Sequence, residues 1–140
     1  MAPLPSDRVL LADGDPGLRR QIRKRLLDAN VFADSVDDGG AALDLLQQRN
    51  YAVVLLGLLL PNRGAERVLE FLRNSDRESR PVVLMVGEPS AARSLDVDLV
   101  QIVLRTPCNL TQLAEMIRSC VRSGSVPPDE TQGLDQKLAV

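Results

Sequence analysis

The chain has 140 residues, 44% of them hydrophobic but only 2% aromatic, and a formal net charge of −2. That length suits one domain with an aliphatic core, and the acidic balance gives no general attraction to nucleic acid or anionic membranes. Histidine is absent, which excludes His-based zinc sites, Ser–His and Cys–His nucleophile pairs, and phosphohistidine chemistry within the chain.

The N-terminal residues MAPLPSDR carry no apolar signal core. Residues 8–12 (RVLLA) form an apolar run bounded by DGDPG and read as a buried strand. Asp15 followed by Pro16 is a helix start, an N-cap with proline at the first helical position. Leu18, Ile22 and Leu26 then place one stripe on the core, and Asn30 suits the helix end. Residues 31–36 read as a second, weaker strand, and Asp37, Asp38, Gly39 and Gly40 as a turn. Ala42, Leu43 and Leu46 carry a second helix. Residues 52–56 (AVVLL) are a strand apolar on both faces, as in parallel sheets covered by helices on both sides. The longest apolar run, 52–60, is far below the roughly 20 residues needed to span a bilayer.

Residues 61–64 (PNRG) read as a loop, with a third helix driven by Val68, Leu69 and Leu72. Residues 81–86 (PVVLMV) and 100–104 (VQIVL) give the fourth and fifth strands, with a short, Ser- and Asp-rich fourth helix expected near 91–95. Asn109 and Gln112 form a capping pair for the last helix, whose stripe is Leu110, Leu113, Ile117 and Val121. Arg118 and Arg122 stand where the helix dipole favours cations. Cys108 and Cys120 make no disulfide framework, so a reducing compartment and a cytoplasmic location are expected. The divisions expected are a short N-terminal tail (1–7), one domain (8–122) and a flexible C-terminal tail (123–140).

Five strands alternating with helices imply a doubly wound α/β fold, a parallel sheet with helices on both faces and right-handed crossovers. Ligand chemistry in such folds lies at the carboxyl ends of the strands. The segments to watch are therefore residues 13–16, 57–62, 86–88 and 105–107.

The motifs in those places, VLLADGDPGLRR, DDGGAALDLL, VVLLGLLLP, PVVLMV and TP after the fifth strand, occur in order and at familiar spacing. Over residues 8–122 the chain resembles the receiver domain of two-component response regulators. The resemblance implies a flavodoxin-like sheet of strand order 2-1-3-4-5. It also implies a crevice with a phosphate-accepting aspartate after the third strand, two acidic residues after the first strand that help to hold Mg²⁺, a Ser or Thr ending the fourth, and a Lys before Pro after the fifth. The aspartate is the nucleophile, Mg²⁺ neutralises charge on the phosphoryl oxygens, and the Lys and hydroxyl bind the new phosphate and throw the switch.

This chain departs from that pattern at nearly every position. Asp13 keeps the first acid, but Gly14 stands at the second, Gly57 at the acceptor, Val86 at the hydroxyl and Thr106 at the lysine. Val103 replaces an aromatic that the family often has, and Gly64 follows Gly57 by seven residues where the family usually has eight. Pro61 and Pro107 hold the register, and residues 52–63 contain no Asp. Losing the acid and the lysine together avoids leaving one buried charge unpaired, a defect that costs about 3–5 kcal/mol.

Other constellations have plain readings. Asp13 and Asp15 could bind a cation, but a helix cap and a leftover carboxylate account for them. Arg19, Arg20, Arg23 and Lys24 are either a solvated face or a partner face, because the resemblance makes this helix part of the surface met by kinases and phosphotransfer domains. Arg105 is expected to point away from the crevice, and Cys108 to be an idle thiol. A flavoprotein reading fails because DGDPG is no phosphate loop and only Phe32, Tyr51 and Phe71 are aromatic.

The expected function is a non-enzymatic pseudo-receiver: a phosphorylation-independent protein-interaction module with no cofactor, and with weak or absent Mg²⁺ binding. Its expected partner is a signalling protein such as a histidine kinase, phosphotransfer or output protein, with no nucleic acid and no membrane. The resemblance also allows a homodimer through the face of the fourth and fifth helices. The alternatives are a working phosphorelay receiver with a non-standard acceptor, and a small-ligand binder or enzyme using the crevice.

Overall fold

Short apolar runs punctuated by Asp, Gly and Asn set the architecture. A computed structural model describes residues 8–58, 60–76, 80–87, 99–105 and 109–123. The elements are β1 (Val9–Ala12), α1 (Pro16–Asp28), β2 (Ala33–Val36), α2 (Gly39–Gln48), β3 (Val53–Gly57), a 3₁₀ turn (Pro61–Arg63), α3 (Gly64–Arg73), β4 (Val82–Val86), β5 (Val100–Leu104) and α4 (Leu110–Ser123). All strand pairings are parallel, in the order β2-β1-β3-β4-β5. This is the doubly wound order expected, with the strand order reversing beside β1 and β3.

The caps explain the helix boundaries. Asp15 Oδ1 accepts from the N–H groups of Gly17 (2.9 Å) and Leu18 (3.2 Å), with Pro16 in the first turn. Asn30 ends α1 in a left-handed conformation, φ 62°, which Asn tolerates better than most residues. Asp38 Oδ1 accepts from Ala41 N–H (2.7 Å), and Asn109 Oδ1 accepts from Gln112 N–H (3.0 Å) at the head of α4.

Alternation along the strands sends side chains to two aliphatic layers. Val9, Leu11, Val53, Leu55 and Leu84 pack with Ile22 and Leu26 of α1 and Leu113, Ile117 and Cys120 of α4. Leu10, Val54, Leu56 and Met85 pack on the other face with Ala42 of α2 and Val68, Leu69 and Leu72 of α3. Burying each large aliphatic side chain stabilises the fold by about 1.5–3 kcal/mol. No buried polar or charged residue stands in either layer among the described residues.

Three sequence expectations need correction. The strands at 31–36, 52–56 and 81–86 begin one or two residues later than apolarity suggests; Val31 is buried without joining the ladder. Gly39 and Gly40 are the first residues of α2 rather than part of a turn, because Asp38 acts as its cap. Pro61, Asn62 and Arg63 form a 3₁₀ turn with Asn62 and Arg63 at φ 58°, and Gly64 already belongs to α3. The expected helix near 91–95 and the terminal segments 1–7 and 124–140 lie outside the described residues.

Candidate functional site

The carboxyl ends of β1, β3 and β4 surround a cleft of about 620 Å³ whose lining includes Asp13, Gly14, Asp15, Asp37, Val86 and Gly87. Pairing of Gly57 with Val86 puts the end of β3 beside the end of β4. Thus Asp13, Gly14, Gly57 and Val86 gather at one end of the sheet as expected, while Thr106 and Cys108 lie outside the described residues.

Asp13 follows the last residue of β1, and its backbone N–H donates to the Val36 carbonyl (3.2 Å). Its side chain turns back into the cleft. One oxygen, Oδ1, accepts from Asp15 N–H (2.8 Å). The other lies over Gly57: a Cβ added at Gly57 would stand 2.5 Å from Asp13 Oδ2, 2.8 Å from Cγ and 3.2 Å from Cα. Real Cβ atoms do not approach that closely, so the Asp13 carboxylate fills the space in which any side chain at position 57 would begin. Burial raises the Asp13 pKa above its ordinary value of 3.8. The hydrogen bond from Asp15 N–H opposes this, the Asp15 charge adds to it, and the Arg19 charge opposes it.

Beside Gly57, Leu58 ties the end of β3 to the end of β4. Leu58 N–H donates to the Val86 carbonyl (3.0 Å) and Gly87 N–H to the Leu104 carbonyl (2.9 Å). Gly87 has φ 150°, and a Cβ there would meet the Leu58 side chain at 2.9 Å. Both lie in segments that the sequence singles out, 57–62 and 86–88, but the motifs give neither a role of its own. Gly87 announced itself as a glycine closing an apolar strand, but Leu58 sits inside an unbroken apolar run with nothing to single it out. Asp37, read as turn, reaches the rim of the cleft.

Mg²⁺ needs oxygen donors in near-octahedral array, and the donors here do not fit it. Asp13 Oδ1 is engaged by Asp15 N–H, Asp15 Oδ1 by two helix N–H groups, and Gly14 and Gly57 offer no side chain. No group of three His, Cys, Asp or Glu that could hold a metal occurs among the described residues.

The basic residues of α1 divide. Arg19 is not part of a free face: its guanidinium donates to the Asp13 carbonyl (2.6 Å) and to Ser35 Oγ (3.1 Å), pinning α1 to the ends of β1 and β2. Arg20, Arg23 and Lys24 are exposed. Arg105, the last described residue after β5, is exposed, and Val103 is buried under the α2–α3 face.

No family model matches the chain. Curated relatives include the transcriptional activator protein IrlR of Burkholderia pseudomallei, 28% identical over 120 residues covering 84% of this chain and 51% of that protein. The transcriptional regulatory protein TctD of Salmonella typhimurium is 28% identical over 134 residues, covering 94% of this chain and 59% of that one. The chain thus spans little more than half the length of these relatives. Among solved structures, a response regulator receiver domain from Methylobacillus flagellatus superposes with TM-score 0.68 at 22% identity, covering 81% of this chain and 98% of that one. The signal receiver domain of a Luxo repressor protein from Vibrio parahaemolyticus superposes with TM-score 0.72 at 20% identity, covering 84% and 92%. Likeness at that identity speaks for the fold, and the two curated relatives are by name a transcriptional activator and a transcriptional regulator. No helix among the described residues is long and apolar enough to cross a membrane. Sheet order, crevice position and these likenesses agree that the chain has the fold of a response-regulator receiver domain and is similar in sequence to transcriptional regulators.

Proposed function

We propose that this domain signals by binding other proteins without being phosphorylated itself. The observation that most supports this reading is the Asp13 carboxylate lying where the first atom of an acceptor side chain would be, over Gly57. Aspartyl phosphorylation needs a free carboxylate nucleophile at the end of β3, metal oxygens opposite it and a cation for the product. The end of β3 is glycine, and the carboxylates nearest it serve the backbone. Val86 offers no hydroxyl. The expected partners are signalling proteins of the kinase, phosphotransfer or output type, and the expected role is recognition rather than catalysis.

The test is intact mass after incubation with acetyl phosphate and Mg²⁺. The expected result is the unmodified mass. A stoichiometric phosphoryl adduct would overturn the reading, and mapping it to Asp13 or Thr106 would identify a non-standard acceptor. Amide NMR shifts of Asp13, Gly57 and Val86 on addition of Mg²⁺ and beryllofluoride give a second check, with no saturable change expected.

A further inference from the structure

The helix stripe that faces away from the core carries its own pattern. Arg20, Arg23, Lys24 and Leu27 recur at i, i+3, i+4 and i+7, so they form one line along α1. That line borders a groove of about 540 Å³ between α1 and the edge strand β2, with Phe32 on the opposite wall. Leu27 and Phe32 are 56% and 60% exposed, and they are the large apolar side chains that stand exposed among the described residues. Arg20, Arg23 and Lys24 have no carboxylate partner among the described residues. The one acid on the groove, Asp34, is already held by Arg8 (3.3 Å), Arg49 (3.4 Å) and the Tyr51 hydroxyl (2.6 Å).

The groove therefore offers three uncompensated cations beside two apolar side chains, on a chain whose overall charge is −2. We infer that it is a docking site for an acidic protein segment bearing apolar side chains, the acids meeting Arg20, Arg23 and Lys24 and the apolar groups covering Leu27 and Phe32. This rests on the protein-interaction reading above and names the chemistry of the partner. Charge complementarity and the paired apolar contacts select this occupant. A nucleic acid or an anionic bilayer would engage the same cations, but it would meet the long-range repulsion of a net acidic chain.

Fluorescence anisotropy of the full chain tests the site. The probes are a short labelled peptide in which Asp and Glu alternate with Leu, its counterpart with Lys for each acid, a single-stranded oligonucleotide and phosphatidylserine vesicles. The acidic peptide should bind saturably and more weakly as salt rises. Arg23→Glu combined with Lys24→Glu should weaken it by about tenfold or more, and Phe32→Ser should weaken it too. All three positions are exposed, so the melting temperature of each variant should stay near that of the parent. Equal binding of the Lys peptide, unchanged affinity in the variants, or tighter binding of the oligonucleotide or vesicles would each overturn the site. Phosphoryl uptake in the mass assay would instead overturn the phosphorylation-independent reading and leave peptide binding at the groove standing.

Discussion

Asp13 and Gly57 act as a pair. An alanine at position 57 must displace the Asp13 carboxylate, and overpacking of this kind costs about 1–3 kcal/mol. Gly57→Ala should therefore lower stability in the parent, and noticeably less in an Asp13→Ala background, where the carboxylate is gone and only the main chain of residue 13 still crowds the new methyl group. Denaturant unfolding of the four proteins gives the coupling directly. The raised pKa of Asp13 sets a second expectation. Below 3.8 the carboxyl is protonated in both folded and unfolded chains and has no effect on stability. As pH rises from there through the raised folded value, the unfolded chain releases its proton first, so stability falls. Asp13→Asn keeps an acceptor for Asp15 N–H and lacks this titration. Its melting temperature relative to the parent should climb across that window and then level off; a constant difference would show that Asp13 does not titrate as its surroundings require. The sequence told part of this: Asp15 before Pro16 read as a cap, and Gly57 stood where a carboxylate was expected. That Asp13 lies across Gly57 was hidden, because it depends on a side-chain direction set by contacts between residues 44 positions apart.

Helix starts meet helix starts on the α2–α3 face. A Cβ on Gly39 would stand 2.5 Å from the Gly64 Cα and 3.0 Å from its carbonyl oxygen, all of it backbone that cannot swing aside. Gly39→Ala should cost about 2–4 kcal/mol as the two helices are forced apart. Gly40→Ala is the contrast. Its new Cβ meets only the Asp38 side chain, at 3.3 Å, and the gain in helix propensity offsets that crowding, so stability should stay within about 0.5 kcal/mol. Thermal unfolding of both variants checks the pair. This explains why DDGG misled as a turn: the same residues that favour turns also cap a helix and permit its close approach to another. The helical stripes were legible because a period of 3.6 is a local property, and the strands because short continuous apolar runs bounded by turn residues are local too. The 3₁₀ turn was not, since nothing local requires Asn62 and Arg63 both to take φ 58°.

At the level of the whole molecule, the cleft is assembled from strand ends far apart in sequence, so its chemistry fails or returns as a unit. Gly57→Asp alone should remain poorly phosphorylated, since the new carboxylate is crowded by Asp13 and like charges in one crevice disfavour ionisation. Gly14→Asp, Gly57→Asp, Val86→Thr and Thr106→Lys together restore acid, hydroxyl and lysine, and should take up more phosphoryl from acetyl phosphate by intact mass. Equal uptake by the single variant would show that glycine at position 57 is the whole of the deficit. The doubly wound parallel sheet was readable from sequence because the alternation of strands and helices leaves few topologies, while its strand order came from the family resemblance and is the one observed. The side-chain contacts across the cleft are tertiary facts that no local pattern encodes.

The knot around Tyr51 turns the protein into its own optical indicator. Tyr51 is the single tyrosine in a chain without tryptophan, so ultraviolet absorption near 280 nm comes essentially from one phenol. Burial, then the hydrogen bond to Asp34 and that residue's charge, push its ionisation upward from 10.0. In alkaline solution a free phenol becomes phenolate and its spectrum shifts to the red, while the folded chain keeps the phenol spectrum. A phenolate band appearing above pH 10 therefore records the opening of the β1–β2–β3 edge, without any added dye.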